Sequence, residues 1–269
     1  MKILSISHFK NTKKSFINNF FFFVIIASLS AFILSGCSSS TNPPVDIVQM
    51  RNKFAEEKYI IHACGMISDE EGNAFDYTNS KEALENSYNL GNRIIEIDFH
   101  YTSDHELVCG HAWGDLYMDG KQLTPGEAPT YDDFLKCKVQ DEFSVLTFRD
   151  VAKFMQVHED LIVVTDTKET DIPTYKMIAE KYPDLTDRFV IQIYHASEYD
   201  DVAKAGFPYI IYTLYETEEG ERTGAALLKA AKKQLIGFTF HIDLTEDSDF
   251  MNSMKKTGTP LFEIGRAHV

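Results

Sequence analysis

The sequence predicts a (β/α)8 barrel, the TIM-barrel fold, in which parallel strands alternate with helices and close into a ring. Short apolar segments alternate with amphipathic ones from Tyr59 onward, a pattern typical of parallel strands joined by right-handed crossovers. The 269 residues are enough for one large barrel. The alternative is an open doubly wound sheet, and its dinucleotide-binding form is disfavoured because no Gly-x-Gly-x-x-Gly follows the first strand.

Seven apolar runs are predicted as strands, one fewer than a closed barrel requires. They cover residues 59–62, 93–99, 161–168, 189–194, 209–215, 235–241 and 259–263. The predicted helices cover residues 80–90, 147–158, 174–182, 199–205, 223–234 and 248–257. Asn79, three residues before Glu82, is expected to cap the first of these helices. We expect the barrel to be truncated after its seventh strand, and residues 264–269 (IGRAHV) to derive from a sequencing adapter.

The amino terminus has the organisation of an export signal, assigned to residues 1–36. A basic stretch ending at Lys14 precedes an apolar run over residues 20–34, and small residues then lead into Cys37. The Leu-Ser-Gly-Cys ending resembles a bacterial lipobox, which implies a lipid thioether on Cys37 and a place in the bacterial cell envelope, outside the cytoplasm. The alternative is an uncleaved anchor helix with a chance cysteine. Polar residues 37–50 are predicted as a tether and residues 51–263 as the barrel.

Composition limits the partners of the protein. The formal net charge of −15 disfavours nucleic acid and anionic headgroups as ligands. A phosphate-ester substrate would therefore need a local positive charge, and a bound divalent cation would supply it. Cys64, Cys109 and Cys137 lack Cys-x-x-Cys spacing, which argues against a zinc knuckle or a redox pair. One disulfide with one free thiol remains open.

Acidic residues end two of the predicted strands. Glu96 and Asp98 are two apart on the second strand and therefore share a face, and Asp166 ends the third. If the strand ends meet at one mouth, the three carboxylates form an oxygen-rich site suited to Ca²⁺ or Mg²⁺. The alternative is a structural ion-pair cluster with Lys168 and Arg93.

Two histidines are predicted to lie near the same mouth as the acidic residues. His62 ends the first strand, and His111 follows a predicted hairpin over residues 107–111. That hairpin belongs to a long segment with little periodicity, which would lie at the carboxyl end of a strand, where barrels build their sites. A single histidine at a strand end is usually structural. These two are candidate catalytic residues only because of the motifs around them.

Five short motifs occur in order along the chain. They are HACG at 62–65, YTNSKEAL at 77–84, EID at 96–98, TSDHELVCGHAW at 102–113 and DTK at 166–168. Together they resemble the glycerophosphodiester phosphodiesterase family, most closely a bacterial subgroup whose first motif is His-Ala-Gly-Gly. The chain departs from the family pattern at four positions. Ala63 replaces an arginine of the family pattern, and Cys64 replaces a glycine. Ala112 replaces an aspartate, and Asp166 replaces a glutamate.

The resemblance implies a TIM barrel of the PLC-like phosphodiesterase type that hydrolyses glycerophosphodiesters, or related phospholipid-derived esters, at the cell surface. It implies that the cation binds Glu96, Asp98 and Asp166, that His62 and His111 act as base and acid, and that Lys168 stabilises the phosphoryl oxygens. Trp113 and Gln192 are further predicted substrate contacts, although Trp113 could equally well only pack under the long segment. Two alternative functions are a catalytically impaired barrel that acts as a surface binding lipoprotein, and a related phospholipase C- or D-like enzyme acting on phosphoinositides or sphingomyelin.

Overall fold

A mostly parallel seven-stranded sheet forms the centre of the structure, a computed structural model that describes residues 46–167, 172–215 and 217–264. The strands of the described residues are β1 (Ile67–Ser68), β2 (Ala74–Phe75), β3 (Ile94–Tyr101), β4 (Leu107–Cys109), β5 (Leu116–Met118), β6 (Lys121–Gln122), β7 (Lys138–Val139), β8 (Phe143–Ser144), β9 (Ile162–Thr167), β10 (Phe189–Ile193), β11 (Tyr209–Thr213), β12 (Gly237–His241) and β13 (Leu261–Ile264). The α-helices are α1 (Ile47–Glu57), α2 (Lys81–Asn89), α3 (Tyr131–Phe134), α4 (Phe148–Val157), α5 (Ile172–Lys181), α6 (Tyr199–Lys204), α7 (Gly224–Ala230) and α8 (Ser248–Thr257).

The order of strands in this sheet is the order that the alternating pattern predicts. Strands β3, β9, β10, β11, β12 and β13 are neighbours in sequence order and pair in parallel, and β4 pairs antiparallel with β3 at the opposite edge. A helix lies between successive parallel strands from β3 onward, as in one continuous portion of a (β/α)8 barrel. The predicted fold class is therefore confirmed as a partial barrel.

The first predicted strand, residues 59–62, is shorter than expected. Only Ile61 pairs with the sheet, through a parallel bridge to Ile95. The backbone leaves the extended conformation just after it, because Ala63 and Cys64 have φ angles of 48° and 65°. A single bridge is still enough to place His62 beside the carboxyl half of β3.

Helix α1 fills one part of the barrel interior and was not predicted. The side chain of Asp46 caps it by accepting a hydrogen bond from the Gln49 backbone. Met50 and Phe54 pack into the apolar interior with inward-facing strand residues such as Ile94, and burial of each such side chain stabilises the fold by roughly 1.5–3 kcal/mol. This helix begins inside the range predicted as tether, so the folded part starts before residue 51.

The long segment after β3 folds into a small subdomain beside the barrel. Strands β5, β6, β7 and β8 form an antiparallel four-stranded sheet in the order β6-β5-β7-β8. Its apolar side chains make a separate core. That core comprises Val108, Leu116, Phe134, Cys137, Val139, Phe143 and Val145. The subdomain is thus an ordered structure next to the strand that carries two of the acidic residues.

Several sequence predictions fall on residues outside the described ranges. These are the export signal over residues 1–36, Cys37, Lys168 and residues 265–269. Within the described ranges, no helix combines the length and the apolar character needed to cross a bilayer.

Candidate active site

Three carboxylates meet at the carboxyl ends of two neighbouring strands. Asp98 on β3 and Asp166 on β9 are register partners, and Glu96 lies two residues before Asp98 on the same face. All three side chains are buried, and each offers a carboxylate oxygen that lies within 4.8 Å of the others. The sequence prediction that these residues converge is borne out by their positions.

Each carboxylate has one oxygen held by a donor from another part of the chain. The backbone N–H of Ala63 donates to Glu96 Oε2 at 2.7 Å. The side-chain amide of Asn79 donates to Asp98 Oδ2 at 2.8 Å, and the hydroxyl of Tyr194 donates to Asp166 Oδ1. Donors of this kind fix the orientation of a carboxylate and thereby organise a ligand set.

Asn79 has a different position from the one that the sequence predicted. The cap of α2 is Ser80, whose hydroxyl accepts from the Ala83 backbone at 3.1 Å. Asn79 is fully buried, and besides donating to the carboxylate of Asp98 it accepts the Asp98 backbone N–H at 3.0 Å. The prediction of a helix cap was therefore wrong, because the shorter side chain one residue later reaches the helix and leaves the amide to hold Asp98.

The two histidines lie on either side of a tyrosine. The ring of Tyr77 is 4.8 Å from that of His62 and 5.0 Å from that of His111, between centroids. His62 Nε2 is 3.8 Å from Glu96 Oε2, and its side chain is 26% exposed, whereas His111 is exposed. The structure thus brings both predicted histidines to the mouth that holds the acids, together with Tyr77, which no sequence pattern singled out.

Four non-glycine residues with a left-handed backbone lie in the loops that carry these groups. Tyr77 and Asn79 have φ angles of 55° and 44°, and Ala63 and Cys64 are also left-handed. Non-glycine residues rarely adopt this conformation, and clusters of them are found where the surrounding structure imposes a geometry needed for function. Here the Asn79 N–H donates to the Ala63 carbonyl at 3.3 Å, so the two strained loops support each other.

The predicted substrate contacts occupy different surroundings. Trp113 is half-buried and packs its ring 5.0 Å from that of His100, and the His100 ring is hydrogen-bonded to the His111 carbonyl. Gln192 on β10 is buried and accepts a hydrogen bond from Thr213 at 2.6 Å. Trp113 thus follows His111 at the rim of the site, whereas Gln192 lies deeper.

The three cysteines of the described residues are free and buried. Burial raises the pKa of the Cys64 thiol well above its usual range, and the nearby charges of Glu96 and Asp98 raise it further. Burial likewise raises the pKa of Cys109. The disulfide left open by the sequence is therefore not formed, and neutral thiols of this kind serve as packing groups.

Tyr194 was also given no role by the sequence. Burial raises its pKa well above the usual range, and the charge of Asp166 adds to the effect. The phenol therefore stays protonated and donates to the carboxylate throughout the neutral range.

This set of residues fits a hard divalent cation. Buried carboxylates are costly without a compensating charge, and three oxygen donors without a thiolate or imidazole among them match the ligand preference of Ca²⁺ or Mg²⁺. The fold and the acidic mouth together define a barrel with a candidate metal site at the carboxyl ends of its strands, the face where barrels of this fold carry their active sites.

Comparison with solved structures identifies which barrels the chain is similar to. A glycerophosphodiester phosphodiesterase from Parabacteroides distasonis is 17% identical, with a TM-score of 0.53 and coverage of 76% of this chain and 82% of that one. A glycerophosphoryl diester phosphodiesterase from the same organism is 12% identical, with a TM-score of 0.51 and coverage of 81% and 88%. An Oleispira antarctica phosphodiesterase in complex with the product sn-glycerol-3-phosphate is 14% identical, with a TM-score of 0.50 and coverage of 77% and 83%.

The solved structures thus confirm, at the level of the fold, the resemblance that the five motifs indicate. No family model and no curated protein matches the sequence.

Proposed function

We propose that the protein is a metal-dependent phosphodiesterase that hydrolyses glycerophosphodiesters. One observation carries this proposal: the buried carboxylates of Glu96, Asp98 and Asp166 meet at the mouth beside which His62 and His111 lie. The shared fold supports it, since one similar phosphodiesterase is in complex with the product sn-glycerol-3-phosphate.

In the proposed reaction, Glu96, Asp98 and Asp166 would hold a Ca²⁺ or Mg²⁺ ion. Such an ion supplies charge neutralisation at the phosphoryl oxygens and lowers the pKa of a hydroxyl bound to it. The side chains themselves are fixed in advance by the donors described above, so little reorganisation accompanies the reaction.

The two histidines are proposed to move the protons. His62, whose Nε2 lies 3.8 Å from Glu96 Oε2 and so beside the proposed cation, would act as the base and take a proton from the attacking hydroxyl. The oxygen of that hydroxyl, from water or from the substrate's own glycerol, bonds to phosphorus as the bond to the leaving alcohol breaks, and His111 gives that alcohol its proton. Attack by water gives the phosphomonoester directly, and attack by the glycerol hydroxyl gives a cyclic phosphate that water then opens. His111 is exposed, which suits a group that gives its proton to an alcohol leaving toward solvent. Imidazole fits both roles because its pKa is close to neutral pH.

The remaining predicted contacts are proposed to bind the substrate. Lys168 would stabilise the phosphoryl oxygens, and Trp113 would form one wall of the mouth, next to the acid His111. Gln192 would act from deeper in the barrel through its hydrogen-bonded pair with Thr213.

The arginine expected at position 63 has no counterpart here, and Ala63 is buried. Its backbone N–H, which any residue except proline would offer, holds Glu96, and both histidines and the three carboxylates of the site are retained. We therefore propose an active enzyme rather than a binding lipoprotein.

The proposed location is the outer face of a bacterial membrane, with the lipid on Cys37 as the anchor. The test is metabolic labelling with a tagged fatty acid in a lipoprotein-processing host. The wild-type chain is expected to carry the label and Cys37→Ser is expected to lose it, whereas equal labelling of both would rule out this anchor.

Catalysis is tested by assaying bis(p-nitrophenyl) phosphate with and without chelator. Wild type is expected to lose turnover in chelator and to regain it with Ca²⁺ or Mg²⁺, while Glu96→Gln stays inactive and folded. Glu85→Gln, an exposed residue of α2, is the matched control and is expected to behave as wild type. Full activity of Glu96→Gln, or of wild type in excess chelator, would contradict the proposal.

A further inference from the structure

The ring of Tyr194 spans the space between two strand ends. It follows β10 directly, and its hydroxyl donates to Asp166 Oδ1, which lies on β9. The same hydroxyl is 3.3 Å from the hydroxyl of Tyr215, and the two rings are edge to face with centroids 5.9 Å apart. Tyr194 is thus a partly buried link between an acidic strand end and the next loop around the barrel.

The direction of these hydrogen bonds follows from the number of protons. A phenol has one proton, and an ionised carboxylate can only accept. Because the Tyr194 proton is directed to Asp166, the Tyr194 oxygen is left to accept in its 3.3 Å contact with the Tyr215 hydroxyl. The chain therefore runs from Tyr215 through Tyr194 to Asp166, and hydrogen bonds in such a chain strengthen one another.

The backbone of Tyr194 is fixed independently of its hydroxyl. Its N–H donates to Glu198 Oε2 at 2.9 Å, and the N–H of His195 donates to the same oxygen at 3.0 Å. Both ends of the residue are therefore held, one by Glu198 and the other by Tyr215. A side chain restrained in this way can hold its partner in one orientation.

We infer that Tyr194 is a positioning residue that orients Asp166 toward Glu96 and Asp98. It would be the third donor of the set, beside the Ala63 backbone N–H and the Asn79 amide, each of which holds one carboxylate oxygen. This inference rests on the proposed function, because it assigns Tyr194 to the same cation site. In this role the Tyr194 phenol determines the affinity of the site for the cation and does not contact the substrate.

The inference is tested by calorimetric titration of the full chain with Ca²⁺ and with Mg²⁺. Tyr194→Phe removes the hydroxyl and keeps the ring, and it is expected to bind the preferred cation about tenfold to a hundredfold more weakly, the usual effect of losing such a partner. Tyr215→Phe is expected to weaken binding less, since it only supports the donor. Thermal unfolding of the metal-free variants, monitored by circular dichroism, is expected to show that Tyr194→Phe is folded.

Tyr199→Phe is the matched control. Tyr199 begins the helix that follows Tyr194, and its hydroxyl accepts from the Gln234 backbone at 3.2 Å instead of contacting an acidic residue of the site. It is expected to bind the cation as wild type does. Equal affinities of wild type and Tyr194→Phe, or equal losses in Tyr194→Phe and Tyr199→Phe, would overturn the inference while the proposed function stands. A wild-type chain that binds neither cation would overturn the proposed function, and this inference with it.

Discussion

Asp98 and Asp166 are register partners on adjacent parallel strands, so that two buried carboxylates lie side by side. Like charges in this arrangement repel each other, and burial adds a desolvation cost. The fold tolerates the pair because donors hold one oxygen of each residue. This pair, together with Glu96, is the origin of the proposed cation affinity.

The first prediction concerns stability. A cation that binds only the folded chain should stabilise it by about 2.7 kcal/mol at a hundred times its Kd, and so raise the Tm. The measurement is thermal unfolding in chelator, in Ca²⁺, in Mg²⁺ and in NaCl of equal ionic strength. Asp166→Asn should lose most of the increase, and a wild-type Tm that is the same in all four buffers would contradict the prediction.

The second prediction concerns proton transfer. His62→Ala and His111→Ala should each lower kcat by about 10²-fold or more, the usual scale of general acid–base catalysis. The double variant should lose less than the product of the two factors, because the residues serve one reaction. Steady-state kinetics at saturating cation tests this. Full activity of His111→Ala would place the acid elsewhere.

The third prediction separates two neighbouring residues. Asn79→Ala should weaken cation binding by about tenfold or more and destabilise the fold by roughly 1–3 kcal/mol, since buried groups of Asp98 lose their partners. Ser80→Ala is the control, because loss of a helix cap should cost about 0.5–2 kcal/mol and leave cation affinity unchanged. Titration calorimetry and urea unfolding measure both quantities. Equal cation affinity in the two variants would show that Asn79 does not act on the site.

The alternating part of the fold could be predicted because its periodicities are regular. Residues 161–168 were predicted as a strand and β9 covers Ile162–Thr167, while residues 248–257 were predicted as a helix and α8 has the same bounds. The acidic site followed from the same regularity. Residues two apart on one strand share a face, and the ends of parallel strands meet at one edge.

The elements that were missed lack such a signal. Helix α1 buries only Met50 and Phe54, too few residues for a visible apolar stripe in a segment that follows a polar tether. Strands β5 to β8 contain only two or three residues each, so they show no alternation.

The donors of the site were missed for another reason. Asn79 is 19 residues from Asp98, and Tyr194 is 28 residues from Asp166. Contacts of this kind depend on the tertiary structure, and local sequence patterns do not contain them. Only the position of Asn79 in the YTNS segment could have drawn attention to it, as part of a motif rather than as a helix cap.

The central claim is that this cation site hydrolyses a glycerophosphodiester. The most direct measurement follows one such ester by ³¹P NMR with the purified chain, the preferred cation and, in parallel, Glu96→Gln. We predict that the phosphodiester signal is replaced by that of a phosphomonoester or a cyclic glycerol phosphate, with release of the alcohol, and that the variant leaves the ester intact. An unchanged phosphodiester signal in the presence of wild-type chain with its cation bound would contradict the claim and favour a binding lipoprotein.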